Sequence, residues 1–526
     1  MASYNSYASS MGERKLTIDT FTGIDQTRGL HSSDYGSSPD AVNFVTRDGV
    51  LKTVGGVAEY GNPTPIPGDM ETAPVTKGKL FQGFFRTAQG EDFYKLIMAQ
   101  DGRLYVHDPD QDAWTPIGGS FTTNDWTAVN YRDEENDWII FTNGVDEAQY
   151  WDGVSQACLP LEIVQGRITH EEDGETIVDA EGEELSFSQI TLLNERLWGG
   201  VASEYPDRVY WSNTFDPEDW EFSYTDSEND GGGFIDIATF DGSRIRAVVS
   251  AMDDILIFKD KSMHRLNGSY PGEFSLTQVF GTEGTLAPRT IVNDGRSLYF
   301  LASDGLVKYS GMSAVPLSSM GDRKLREIWP RINPSTIDLA CAVLMDGVIY
   351  LAVPLDGSTI NTHVIEYDTQ NGTYNIIELP GVDDWLILRE GQKETLLFLN
   401  AHQVYQYNSG YTFYNNIDGF DPEIYAVWTS PFINCGTLSS KKQTGRIYMA
   451  VTAASLDVNK PPEIKLTLLS GNKVRTKTLK LKTGLNEIRK RVKVRGRSFR
   501  FRIENVDGNP LTIHRGIEIH IEEDFD

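Results

Sequence analysis

Leu96-Ile97-Met98-Ala99-Gln100-Asp101-Gly102-Arg103-Leu104-Tyr105-Val106 joins two apolar runs through an Asp-Gly turn. Asp-Gly accepts the left-handed backbone that a two-residue hairpin turn demands, so the stretch predicts two short antiparallel strands. The pattern returns at Trp138-Ile139-Ile140-Phe141-Thr142-Asn143-Gly144 running on to Tyr150-Trp151, and at Leu298-Tyr299-Phe300-Leu301-Ala302-Ser303-Asp304-Gly305-Leu306-Val307-Lys308-Tyr309. Looser copies run from Leu197-Trp198 to Tyr210-Trp211, Ile255 to Leu266, Val348 to Tyr367 and Leu396 to Tyr407. An imperfect repeat of small hairpins predicts an all-β fold, an irregular β-propeller of about seven blades. Such a scaffold carries many unrelated functions, so function has to be argued from what is attached to it.

A chain of 526 residues exceeds one ordinary core, which predicts a large closed β-architecture with an appendage. The 48 glycines and short apolar runs suit many strands joined by tight turns. No run of apolar residues is long enough to span a membrane, and the first thirty residues lack the pattern of a secretory signal, so a soluble protein made in a cytoplasm is expected. Cys158, Cys341 and Cys435 lie far apart without CxxC spacing, which predicts buried thiols and neither a disulfide framework nor a zinc site.

The net charge of -29 is unevenly distributed. From residue 425 onward there are 19 Lys or Arg against 10 Asp or Glu, leaving 28 basic and 66 acidic residues in 1–424. Two electrostatically opposite parts favour ordered head-to-tail or end-on assembly and disfavour indiscriminate nucleic-acid binding by the large part.

Residues 1–20 read as a flexible N-terminal arm. The propeller is expected over 21–424 and a C-terminal β-sandwich over 425–526. Ser38-Pro39-Asp40-Ala41-Val42-Asn43-Phe44-Val45-Thr46-Arg47-Asp48-Gly49-Val50-Leu51-Lys52 predicts a hairpin closed at Asp48-Gly49, placed at the start of the propeller. An acidic hairpin-like insertion is expected at 162–189, and a mobile connection from Asp226 to Gly233. The single helix signal is Asp322-Arg323-Lys324-Leu325-Arg326-Glu327-Ile328-Trp329, stopped by Pro330. Beyond 425, Ile464-Lys465-Leu466-Thr467-Leu468, Phe499-Arg500-Phe501-Arg502-Ile503 and Ile517-Glu518-Ile519-His520-Ile521 alternate strictly, the signature of sheets with one buried face.

A search for chemistry finds no GxSxG, phosphate loop, HExxH or GxGxxG pattern, and the eight histidines are scattered. Asp108, Asp110 and Asp112 alternate as calcium-loop ligands do, but Ala113 stands where a turning Gly belongs and no closing Glu follows. Asp216-Pro217-Glu218-Asp219-Trp220 is similar. No catalytic residue, cofactor or metal ligand is nominated, and an enzyme is not expected. The strongest local charge feature is the basic tract: Arg489, Arg491, Lys493 and Arg495 recur at every second residue, placing them on one strand face, and Arg500 and Arg502 continue the series. Such strands suit a protein interface, including this chain's own acidic part, or a phosphate backbone.

Two segments resemble the tail-hub or tail-nozzle proteins of tailed bacteriophages, which include the packaged-DNA stabilisation proteins of short-tailed phages. The first is Ser38-Pro39-Asp40-Ala41-Val42-Asn43-Phe44 with Arg47-Asp48-Gly49-Val50-Leu51 and Gly55-Gly56; the second is Arg497-Ser498-Phe499-Arg500-Phe501-Arg502-Ile503-Glu504-Asn505. The resemblance implies a structural virion protein of the tail, synthesised in the host cytoplasm and assembled as a homo-oligomeric ring, usually a hexamer. It also implies contact with a head–tail adaptor or other tail proteins, and a channel that retains double-stranded DNA until ejection and meets it in passing. The alternatives are a receptor- or glycan-binding propeller on the virion, with Trp220, Trp385 or Tyr411 lining a concave face, and a propeller glycosidase.

Overall fold

The computed structural model describes residues 13–27, 34–61, 78–100, 102–119, 121–122, 125–133, 136–172, 175–202, 204–221, 231–237, 242–279, 284–317, 324–410, 412, 423–435, 438–457 and 459–524. Seven four-stranded antiparallel sheets, each a meander, dominate the fold. Their first strands are Lys79–Arg86, Thr127–Arg132, Phe187–Leu193, Ile245–Ala251, Val292–Asn293, Cys341–Met345 and Asp384–Glu390. Every one of the seven repeat copies supplies the second and third strands of one sheet. Asp92–Gln100 pairs with Arg103–Asp108, Leu298–Ala302 with Gly305–Tyr309, and Lys393–Asn400 with Gln403–Tyr407.

The second strands are apolar through their centres because both of their faces are covered, whereas the third strands also carry polar residues such as His264, Arg265 and Glu366. Alternate side chains of one strand point into two different cores: Leu396 and Phe398 face the sixth sheet, while Leu397 and Leu399 face the first. A separate apolar cluster fills each junction between consecutive sheets, and the last of them, with Leu80, Met98, Leu397 and Leu399, joins the seventh sheet to the first. The arrangement is β-propeller-like. Its seventh sheet takes its outer strand, Val57–Glu59, from far upstream, in the register Tyr405↔Glu59 and Tyr407↔Val57.

Two two-stranded pairs aside, Gly23–Ile24 with Ser37–Ser38 and Val164–Glu172 with Glu175–Glu184, the remaining described strands build two sheets with a shared core. Val427–Thr429, Arg500–Asn505, Glu463–Ser470 and Lys473–Lys480 form a four-stranded sheet in that order. The long strand Lys441–Ala453 centres an eight-stranded sheet with Gly484–Arg491, Arg495–Gly496, Leu511–Ile513 and Ile517–Asp524. Leu466, Leu468, Phe501 and Ile503 from one sheet and Ile447, Val451 and Ile519 from the other pack together. The same cluster continues into Tyr299 and Leu301 of the fifth sheet and Ile349 and Leu351 of the sixth.

Several expectations change. The arm expected over 1–20 contains a strand, Glu13–Ile18, paired antiparallel with Ile517–Asp524; its alternation buries Leu16 and Ile18. The hairpin Phe44–Arg47/Val50–Thr53 belongs with the C-terminal strands, since Leu51 pairs with Ile513. A boundary at 424/425 therefore divides units that share strands. Asp48 and Gly49 both have positive φ, 50° and 73°, as the turn chemistry requires. The segment read as a helix is, among its described residues, turn followed by a single 3₁₀ turn at Trp329–Arg331, because Pro330 ends it and Leu325 and Ile328 are buried as anchors. The acidic insertion is a two-stranded hairpin, Val164–Glu172 with Glu175–Glu184. The connection at 226–233 lies largely outside the described residues.

Candidate functional site

Ser38–Leu51, which carries the resemblance, fastens the two-sheet unit to the sixth of the seven sheets. Asn43 adopts φ +59° and makes four hydrogen bonds. Its backbone N–H donates to Ile376 O (2.9 Å) and its carbonyl accepts from Val54 N–H (2.9 Å). Its side-chain Oδ1 accepts from Glu378 N–H and its Nδ2 donates to Tyr425 O, both at 2.8 Å. Four residues on, Arg47 Nη2 donates to Glu366 Oε2 at 2.7 Å. Glu366 is buried on the third strand of the sixth sheet and also accepts from Tyr407 Oη (3.2 Å) and Asn375 Nδ2 (3.3 Å). Burial, then the Glu366 charge, pushes Tyr350 up to about 12, with Arg47 opposing.

The first strands of neighbouring sheets lie against one another, and polar groups there link sheet to sheet. Gln82 of the first sheet donates from Nε2 to Arg389 O of the seventh (2.8 Å), while its Oε1 accepts from Arg389 N–H (3.0 Å). Asn130 Nδ2 of the second donates to Gln82 O (3.0 Å). Thr127 Oγ1 donates to Ser188 O of the third (2.7 Å), and Thr191 and Ser250 Oγ atoms pair between third and fourth (3.0 Å). Arg289, buried, donates from Nη2 to Asp383 O (2.5 Å) and Gly78 O (3.3 Å) and pairs with Asp384 Oδ1 (3.2 Å). Beside it Asp383 is pushed up to about 6 by burial, against the Ala401 N–H and Arg289 that hold it ionised and with Asp384 adding to the rise. These groups are engaged in holding neighbouring sheets together.

The basic residues nominated from the sequence divide between two sheets. Arg489, Arg491, Lys493 and Arg495 are all exposed, with Val492 and Val494 buried between them, so the every-second-residue face exists. The ladder breaks at 492–494, where the strand Gly484–Arg491 gives way to Arg495–Gly496. Arg489 lies 5.4 Å from the Tyr448 ring centre, and Arg491 is 4.0 Å from Glu522. Arg500 and Arg502 sit on the four-stranded sheet instead, Arg500 Nε donating to Ser430 O (3.0 Å) and Arg502 lying 3.3 Å from Glu504. The six do not share one face, because the chain crosses from one sheet to the other between Gly496 and Arg500.

The basic tract begins at Lys473, and what the sequence did not show is that the strand Lys473–Lys480 lies at a sheet edge. It pairs with Glu463–Ser470 on one side only, and nearly every residue is exposed. At the base of the acidic hairpin, a cavity of about 310 Å³ is lined by Glu147, Glu183, Glu184, Glu204 and Tyr205. The hydrogen bond between Glu183 and Glu204 raises the Glu183 carboxyl, and burial followed by Glu184 and Glu162 raises that of Glu147.

Other nominated groups have local duties. Asp108 Oδ1 accepts from Asp110 N–H (3.0 Å), and Asp112 Oδ1 sits 3.3 Å from His107 Nε2. Asp216 Oδ1 accepts from Glu218 and Asp219 N–H (3.1 and 3.2 Å). Among the described residues no group of three or more His, Cys, Asp or Glu is placed to hold a metal. Trp220 and Trp385 are buried, so neither offers a ring to a sugar; Tyr411 lies outside the described residues. Burial pushes the Cys158 thiol up to about 12, and Cys341 and Cys435 are buried as well. No helix among the described residues is long and apolar enough to cross a membrane.

No family model matches the chain. No curated protein matches it. Among solved structures it is similar to the Pan2 WD40 domain of Neurospora crassa, with a TM-score of 0.34 and 11% identity over 68% of this chain and 94% of that one. It is also similar to the major Malassezia sympodialis allergen Mala s 1, with a TM-score of 0.30 and 11% identity over 55% of this chain and 95% of that one.

Proposed function

We propose that this chain is a structural protein of a bacteriophage tail: a hub or nozzle subunit that assembles with copies of itself into a ring and helps wall the channel that retains DNA until ejection. In this reading the sheets form a seven-bladed β-propeller closed by the upstream strand Val57–Glu59, with a C-terminal β-sandwich fastened to it. The ring stoichiometry, six, and the neighbouring adaptor follow from the resemblance alone.

The observation that carries the reading is the use made of the resembling residues. Asn43 and Arg47 bind the two-sheet unit to the sixth sheet, a role in building a stiff two-part block. Electrostatics agrees with it. An acidic body repels a phosphate backbone weakly and lets it slide, whereas a continuous basic lining would make each step sticky and salt-dependent. The glycan-binding alternative loses support with the burial of Trp220 and Trp385.

Negative-stain imaging of the purified protein tests the proposal. Closed rings of uniform copy number with an axial pore are expected. A stable monomer that binds host cell-wall polysaccharide overturns it.

A further inference from the structure

We propose that copies of this chain join head to tail, the free basic edge strand Lys473–Lys480 of one seating against the acidic base of the hairpin Val164–Glu184 of the next. This contact rests on the reading of the chain as a self-assembling wall and names the surfaces that meet.

The edge carries the first half of the argument. Lys473, Arg475 and Lys477 recur along an exposed strand whose outer backbone groups pair with no strand. In a strand such alternate side chains stand about 7 Å apart on one face. Lys473 Nζ donates to Arg495 O (3.3 Å), Arg475 Nη1 to Val474 O (3.2 Å), and Lys480 reaches Glu463 at 4.0 Å. Among the described residues neither Arg475 nor Lys477 has a carboxylate partner. Residues 473–495 hold ten Lys or Arg against the single Glu487, far more positive charge than protecting an edge from aggregation requires.

The acidic cavity supplies the complement. Glu147, Glu183, Glu184 and Glu204 line it without an ion pair to any described Lys or Arg. The nearest guanidinium, Arg208, is engaged by Asp236 at 2.7 Å and stacks 4.2 Å from the Tyr205 ring centre. Among the described residues no three carboxylates are gathered to hold a metal, so several separate cations on a strand suit this lining better. After burial of Glu147 and the Glu183–Glu204 hydrogen bond, repulsion from neighbouring carboxylates adds to the rise of these two carboxyls, and incoming cations relieve that part. A contact between two different patches of one chain is heterologous, and it closes into a ring when its rotation permits. Nucleic acid fits less well, because the acidic body would meet the same phosphates.

The test is sedimentation of the full chain at about 50 and about 500 mM salt, where screening differs strongly. Three samples are compared with the wild type: K473E/R475E/K477E, E183K/E184K/E204K, and an equal mixture of the two. The wild type is expected to self-associate at low salt and to weaken about tenfold or more at high salt. Each variant alone loses association, and the mixture regains it because every edge then faces a complementary cavity. A wild type that stays monomeric at low salt, variants that associate as the wild type does, or a mixture without recovery overturns the proposal. So does duplex DNA binding that the edge substitutions abolish while self-association persists. Rings seen by imaging in both variants would remove this contact yet leave the structural reading intact, whereas a glycan-binding monomer would remove the structural reading itself.

Discussion

Arg47 Nη2 stands 2.7 Å from Glu366 Oε2, joining a hairpin near one end of the sequence to the sixth sheet at a site where the carboxylate is only 3% exposed. A buried charge without its partner is costly, more so than replacing the pair by apolar groups. Arg47→Met is expected to lower stability by about 3 kcal/mol in chemical denaturation. The double variant R47M/E366M should recover part of that loss, and a double variant as unstable as the sum of the singles would show that the pair is not the source.

Asn43 holds a left-handed backbone while its amide bridges Glu378 and Tyr425. Asn43→Ala removes both side-chain hydrogen bonds and, with them, the polar side chain that lets Asn tolerate a left-handed backbone, for a total loss of about 3 kcal/mol. Asn43→Gly restores only the tolerance of that backbone, so it should fall between the two. Denaturant midpoints at constant slope provide the comparison.

Closure of the seventh sheet depends on Val57–Glu59. The alternation that makes Tyr60 N–H donate to Val404 O puts Ala58 in a hydrogen-bonded pair with Gln406. Ala58→Pro deletes that donor and is expected to open the seam between the first and seventh sheets. Limited proteolysis should then cut faster near 384–407, while the C-terminal strands stay protected; uniform loss of protection would point to global unfolding instead.

Asp383, pushed up to about 6 by burial, ties stability to pH. Its folded state binds a proton more tightly than the unfolded chain, whose aspartates titrate near 3.9, so the contribution is present below about pH 4 and is lost as pH rises through about 6. Asp383→Asn keeps an acceptor for Ala401 N–H without the charge. Relative to wild type, this variant should gain about 2–3 kcal/mol between about pH 4 and pH 7. A gap that stays flat across that range would locate the titration elsewhere.

The hairpins were legible because their signal is local: an apolar run, a turn with residues suited to positive φ, a second run. Leu298–Ala302 and Gly305–Tyr309 needed nothing from elsewhere in the chain to be read. The outer strand Val57–Glu59 and the edge strand Glu13–Ile18 were hidden because their partners lie hundreds of residues away, and a six-residue alternation such as that of Glu13–Ile18 looks the same in an arm as in a sheet. The basic ladder was legible as alternation from Arg489 to Arg495, but not the crossing that puts Arg500 and Arg502 on another sheet. The acidic cavity left no sequence signal, since Glu147, Glu183 and Glu204 meet only through folding.

The pairing of Glu13–Ile18 with Ile517–Asp524, and of Val57–Glu59 with Gln403–Tyr407, sets a timetable for synthesis. Strands translated early wait, unpaired, for partners translated hundreds of residues later, so loop closure over most of the chain precedes the final native contacts and folding is slow. Until then the growing polypeptide exposes strand edges that chaperones must shield. The same delay means that the sheets at both ends of this order are completed only when their latest strands, Gln403–Tyr407 and Ile517–Asp524, have been made.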